Sequence, residues 1–142
     1  MTQHRIGIAT TDITAPVGTF LAGYAARLQP STGVYHPLRA VCIALDDGNE
    51  SGLLVSIEWL GFYDRTPAAR ERIAARTGIA PGRILLSGTH THCGPALRRE
   101  IDARRHGSVD EHYIERTLDV LPETAAGALE RREPARLRAG TG

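Results

Sequence analysis

Two histidines, His90 and His92, stand one residue apart in the segment Arg83 to Pro95, which reads R-I-L-L-S-G-T-H-T-H-C-G-P. Of all the residues in the chain, this pair has the types and spacing best suited to chemistry. Neutral imidazole is the commonest protein ligand for zinc, and it exchanges protons near neutral pH. In extended backbone, residues i and i+2 point to the same side, so the spacing predicts two rings on one face at the end of a strand. Two rings would make half of a metal site, because a catalytic zinc takes about four ligands with one position left to water. The same H-x-H pattern also arises in loops where a histidine merely caps a turn, and spacing alone leaves both readings open. Cys93, next in the chain, reads either as a small buried residue or as a soft extra ligand.

Several elements must position this pair. Ile84, Leu85 and Leu86 form a short apolar run that Pro81-Gly82 turns into and Gly88 closes, the pattern of a fully buried strand. Before it, Thr66 as N-cap, Pro67 at the first helical position and Gly78 as the stop predict a helix over 67–77. The Arg70, Glu71, Arg72 and Arg76 side chains of that helix read as a solvated face. Further back, a strand at Arg5 to Ala9 turns at Asp12 to Pro16, and an irregular loop covers Ala25 to Tyr35. A strand from Leu38 to Leu45, apolar enough for burial on both faces, meets the turn Asp46-Asp47-Gly48-Asn49 and pairs antiparallel with Leu53 to Trp59. Strand, helix and strand in that order imply a right-handed crossover if the two strands are parallel, and the histidines would then lie at the carboxyl end, where α/β sheets commonly place their sites. After the motif, Ser108-Val109-Asp110-Glu111 reads as a capping box. It opens a helix with Ile114, Leu118, Leu121, Ala125 and Leu129 on one stripe, and Pro122 predicts a kink or break near Leu118 to Leu121. A last strand is expected through Ala135, Leu137 and Ala139. The fold class is therefore α/β, a mixed β-sheet with flanking helices.

Composition narrows the remaining classes. The 142 residues suffice for one domain, 42% are apolar and 23% charged, and the formal net charge is +1. All 17 basic residues are arginine; they are offset by 16 acidic ones and form no single run, which argues against nucleic acid as a partner. The opening residues lack the apolar core of a signal peptide, and no later run approaches membrane-spanning length. A cytoplasmic location without a transmembrane segment is therefore expected, with Cys42 and Cys93 as free thiols. His4, His106 and His112 lie in polar context and read as solvent-exposed. No G-x-S-x-G elbow, P-loop or C-x-x-C occurs.

The string S-G-T-H-T-H-C-G-P resembles the T-H-T-H-S-G-P-G segment of the neutral (non-lysosomal) ceramidases, zinc-dependent amide hydrolases that cut N-acylsphingosines. The opening G-I-A-T-T-D-I-T-A-P-V-G-T-F-L-A-G-Y is similar to that family's start, where a D-I-T-x-P turn precedes a Gly-Tyr pair, here Gly23-Tyr24. His36 and Arg39 resemble, loosely, a G-I-H-x-x-x-x-A-R-A block. Glu58 falls where relatives carry Asp in a D-L-L-G-like motif, and reads either as a satisfied polar group at a strand end or as part of a site rim. The resemblance implies zinc as cofactor, His90 as a metal ligand and His92 as a catalytic residue facing the substrate. It implies further that His36, Arg39, Glu58, Cys93 and Gly94 form the rim or bind substrate. Cys93 stands where the family has serine, and Ala96-Leu97 where it has glycines. The family's domain runs on for hundreds of residues past a comparable G-x-G, so the chain corresponds to the first part of a larger catalytic domain, with the other metal ligands expected beyond Gly142. The substrate implied is a small N-acylated, lipid-like molecule. A metal-dependent hydrolase of another N-acyl or ester substrate, or a non-catalytic truncated relative, are the competing readings.

Overall fold

The computed structural model describes residues 4–98 and 109–141. Five strands and two helices occur among them. The strands are β1 (Arg5–Asp12), β2 (Arg39–Asp46), β3 (Ser51–Ile57), β4 (Ile84–Gly88) and β5 (Glu133–Pro134), and the helices are α1 (Thr66–Thr77) and α2 (Glu111–Glu130). They form one mixed sheet in the order β4-β3-β2-β1-β5. β1, β2, β3 and β5 pair antiparallel, whereas β3 and β4 are parallel and joined through α1. The β2–β3 hairpin turns where the sequence predicts it. Asp46 accepts from the Gly48 N–H at 2.7 Å and Asp47 from the Asn49 and Glu50 N–H groups, while Gly48 supplies the positive φ of 89°.

Both helices lie on one face of the sheet. The covered face carries the rows Ala9–Cys42–Val55 and Gly7–Ala44–Leu53–Ile84, whose small residues on β1 and β2 let α2 approach through Ala125 and Ala128. Gly7 marks the tightest approach, since a Cβ there would lie 2.0 Å from the Ala128 carbonyl oxygen. On the opposite face Ile8, Ile43, Leu54 and Leu85 are direct cross-strand neighbours. Ile8 is 54% and Leu85 63% exposed. The expectation of burial on both faces for β2 and β4 is thus corrected. Burial alternates along β2 and β4 is an edge strand, because an apolar run reports the side chains and not what covers them.

Three further expectations change for physical reasons. Thr66 does not cap α1: the cap position is Arg65, and the Thr66 hydroxyl donates to the Tyr63 carbonyl oxygen of a preceding 3-10 turn. Gly78 does stop the helix, in the left-handed conformation at φ 72°. The arginines of α1 are not simply solvated. Arg72 pairs with Glu115 and Asp119 at 2.6 and 2.7 Å and Arg76 with Glu123 at 2.6 Å, and at the cap position Arg65 pairs with Glu111 at 3.0 Å, the acids all on α2. α2 runs unbroken through Pro122, because burial of Leu118, Leu121, Ala125 and Ala128 in the core outweighs the roughly 3 kcal/mol an interior proline costs. Its N-cap is Asp110, which accepts from the Tyr113 N–H at 2.9 Å; Ser108 lies outside the described residues. The last strand is only the two residues of β5, ahead of the expected Ala135–Ala139 run.

A buried aromatic pair ties this layer to the site. The Trp59 indole N–H donates to the Tyr113 hydroxyl at 3.0 Å, and that hydroxyl donates to the Ile13 carbonyl at 2.6 Å. α2, the end of β3 and the loop after β1 are thereby fixed to one another.

Candidate functional site

The histidine motif leaves the carboxyl end of β4 and follows the continuation of β3. The Thr89 N–H donates to the Ile57 carbonyl at 2.9 Å and the His90 N–H to the Trp59 carbonyl at 3.0 Å, so two parallel-type contacts outlast the strand itself. The backbone then reverses. His90 has φ 63°, a left-handed conformation that few non-glycine residues adopt, so the two histidines do not sit in extended chain as the spacing predicts. Their rings nevertheless come together, with centroids 5.3 Å apart and planes tilted by 59°. The expected juxtaposition is present, and a turn produces it.

Each ring has its own holder. His90 Nδ1 lies 3.0 Å from the Leu60 carbonyl oxygen. A carbonyl can only accept, so Nδ1 carries the proton and a neutral ring keeps its lone pair on Nε2, the arrangement in which metal-bound histidines are usually oriented. His90 is exposed and His92 half-buried. His92 rests edge-on to Tyr24, centroids 4.9 Å apart, and against the backbone of Gly23, where a Cβ would meet the His92 ring carbon at 2.4 Å. Gly23 also has φ 104°, so two independent constraints call for glycine there. Arg27 reaches under this loop: its Nη1 donates to the carbonyls of Ala22 and His92 at 3.0 and 2.8 Å, and its guanidinium lies 5.0 Å from the Tyr24 ring centroid. Leu60 and Arg27 were invisible to motif reasoning. The Gly23-Tyr24 pair was the one signal that pointed to this loop.

The other rim residues separate into two groups. His36, Glu58 and Cys93 line one cleft of about 330 Å³ with Thr14, Leu21, Val34, Leu38 and Thr91. That cleft does not include His90 or His92. Glu58 accepts from the Arg39 backbone N–H at 2.5 Å, which supplies the partner a carboxylate at a strand end requires, and Arg39 takes part through its main chain. His36 is exposed, with Nδ1 2.9 Å from the Pro37 carbonyl oxygen. Gly94 is buried and packs on the chain after β3, where a Cβ would lie 3.1 Å from the Glu58 carbonyl oxygen. Its own carbonyl accepts from the Ala22 N–H at 3.0 Å. Ala96 and Leu97 are buried, and Ala96 donates to the Phe20 carbonyl at 2.8 Å, so this departure from glycine builds a packed loop. His4 and His112 are exposed as expected, and His106 lies outside the described residues.

Both cysteines are free thiols, Cys42 buried and Cys93 exposed. Burial pushes the Cys42 thiol up to about 12, so it stays protonated at neutral pH, and the thiolate is the reactive form. Alkylation of the native chain with iodoacetamide at pH 8 is expected to label Cys93 alone, with Cys42 reacting only after denaturation. Equal labelling of both in the native state, read by peptide mass spectrometry, would contradict this placement.

Among the described residues no cluster of three or more His, Cys, Asp or Glu side chains could hold a metal ion. The exposed His90, with Nε2 left as its lone-pair nitrogen, and the neighbouring His92 suit a partial ligand set, and the described residues do not complete it. No helix among the described residues is long and apolar enough to cross a membrane.

No protein-family model matches the sequence, and no curated protein matches it. Solved structures do. Neutral ceramidase from Pseudomonas aeruginosa superposes with a TM-score of 0.79 at 19% identity, and a ceramidase complexed with C2 with a TM-score of 0.75 at 18% identity. In each case the match covers 94% of this chain and 22% of the other. The α/β fold built here, a mixed sheet with two flanking helices, is similar to the fold of one portion of neutral ceramidase.

Proposed function

We propose that this chain forms part of a zinc-dependent hydrolase that cleaves the amide bond of N-acylated lipids of the ceramide kind, with the remaining metal ligands supplied by polypeptide beyond Gly142. The observation that carries this reading is the His90–His92 pair at the carboxyl end of β4, with Nδ1 of His90 committed to the Leu60 carbonyl. The likeness in fold to ceramidase structures supports it.

In this reading His90 holds the metal through Nε2, and the Leu60 carbonyl fixes its tautomer and ring plane. A bound zinc supplies Lewis-acid activation of water and of the amide carbonyl. His92, kept beside it by Tyr24, Gly23 and Arg27, donates a hydrogen bond to the carbonyl oxygen as negative charge gathers there, or passes a proton to the departing amine. Products are an amine and a carboxylate.

Metal analysis tests the proposal. The 142-residue chain is expected to retain little zinc after dialysis, because two histidines hold it weakly, and to turn over a fluorogenic N-acyl substrate poorly. A longer polypeptide carrying the same chain is expected to hold about one zinc per molecule and to turn the substrate over. Zinc-free and inactive longer protein would favour a non-catalytic relative, whereas zinc with esterase but no amidase activity would favour a different hydrolase.

A further inference from the structure

The cleft beside Glu58 adjoins the histidine motif through Thr91 and Cys93 but is not lined by His90 or His92, and its chemistry is uneven. Leu21, Val34 and Leu38 give it apolar walls, and at about 330 Å³ it lies at the small end of ligand sites, which run from roughly 300 to 1,000 Å³. Three of its hydroxyls are engaged with main chain: Thr14 accepts from the Leu38 N–H, Ser31 from the Gly18 N–H and Thr91 from the Cys93 N–H, while Tyr35 adds an exposed phenol at the rim. Glu58 is the only carboxylate among the lining residues. It accepts one hydrogen bond, from the Arg39 backbone, and no cation among the described residues pairs with it. Arg39 also acts on Asp12. The Asp12 carboxyl is held below its ordinary range first by hydrogen bonds from Thr14 and further by the Arg39 guanidinium.

A carboxylate left without a counter-charge at an apolar cleft selects for a ligand that brings both the charge and the apolar body. A hard divalent ion does not fit this description, since calcium takes six to eight oxygens and magnesium an octahedral shell, and one carboxylate is offered. We propose that this cleft binds a small amphiphilic ammonium, an organic amine whose cation pairs with Glu58 and whose aliphatic or aryl body rests on Leu21, Val34 and Leu38. The inference stands without the metal reading, because the cleft contains neither His90 nor His92, and it is testable on the chain with metal removed.

The experiment is an amide ¹H–¹⁵N titration of the 142-residue chain in EDTA with three probes of equal length: hexylammonium, 1-hexanol and hexanoate. Hexylammonium is expected to give saturable shifts at Leu21, Val34 and Leu38. Hexanol should bind about 10- to 100-fold more weakly, the range that a hydrogen bond to a charged group supplies, and hexanoate more weakly still. Glu58→Gln keeps an oxygen for the Arg39 N–H but loses the charge; it should weaken hexylammonium by the same factor and leave hexanol unchanged. Gly33 also lines the cleft, and a Cβ added there meets nothing within 4 Å, so Gly33→Phe is expected to fold and to exclude hexylammonium and hexanol alike. Equal affinities for the three probes would overturn the proposal, as would hexylammonium binding that is unaffected by Glu58→Gln. So would shifts centred on a different cavity, one lined by His4, Leu45 and Leu137. Should Glu58→Gln lose its native spectrum, unchanged hexylammonium binding by Gly33→Phe would overturn it alone.

Discussion

Replacing His92 by alanine, in a zinc-loaded protein that carries this chain and hydrolyses N-acyl substrates, is expected to lower kcat and kcat/KM together by about 100- to 1,000-fold, roughly 3 to 4 kcal/mol. Zinc content and KM should stay near their original values, because a donor to the developing oxyanion makes its contact chiefly in the transition state. His90→Asn, by contrast, should lose the metal. The two rings are only 5.3 Å apart, so the rival view is that both bind zinc and fail alike. Atomic emission on the purified variants beside steady-state kinetics separates the cases. If His92→Ala loses zinc as fully as His90→Asn, the pair is a bis-histidine ligand set. If His92→Ala keeps both metal and full activity, its ring serves only the packing of Tyr24 and Gly23.

The largest expected effect on stability lies away from these residues, at Gly7. An alanine Cβ there would stand 2.0 Å from the Ala128 oxygen, 2.8 Å from the Arg132 nitrogen and 3.0 Å from the Arg131 carbon, all of them backbone atoms at the end of α2. No rotamer change relieves contacts of that kind. Helix and sheet must part, with loss of packing for Ala125 and Ala128. Overpacking typically costs 1 to 3 kcal/mol and occasionally more, and backbone against backbone belongs at the upper end. Gly7→Ala is thus expected to cost about 3 kcal/mol or more and to lower the thermal midpoint by roughly 10 °C. Gly82→Ala, where an added Cβ meets nothing within 4 Å, should move it by less than about 2 °C. Calorimetry on the two variants decides, and similar midpoints would mean that the β1–α2 approach is looser than described.

Gly7 also shows where the sequence was silent. In R-I-G-I-A it reads as one residue of an alternating strand, and nothing local says that a helix more than 100 positions later comes to rest on it. What was legible had local causes. The Asp46–Asn49 turn, the Gly78 stop and the hairpin of β2 and β3 are each written in a few adjacent residues. What was illegible depended on partners distant in the chain: the arginines of α1 waiting for the acids of α2, Pro122 tolerated because its helix is held by the sheet, and Leu85 left uncovered because both helices chose the other face. The site divides along the same line. The adjacency of His90 and His92 followed from their spacing, although a left-handed turn achieves it, whereas their holders, Leu60 and Arg27, contribute a carbonyl and a guanidinium that carry no motif.

The left-handed backbone of His90 has an evolutionary consequence. A position at φ 63° accepts glycine freely and asparagine or aspartate with little penalty, while most other residues cost on the order of 1 to 2 kcal/mol. Both histidine codons become asparagine or aspartate codons by a single change at the first base. A lineage in which the site was no longer needed would therefore drift first to Asn at this position, keeping the turn and the fold while discarding the ligand, whereas Asp would keep an oxygen that can bind zinc. Homologues carrying Asn at residue 90 are then expected to be stable proteins without the metal, and to be found more often than those carrying alanine.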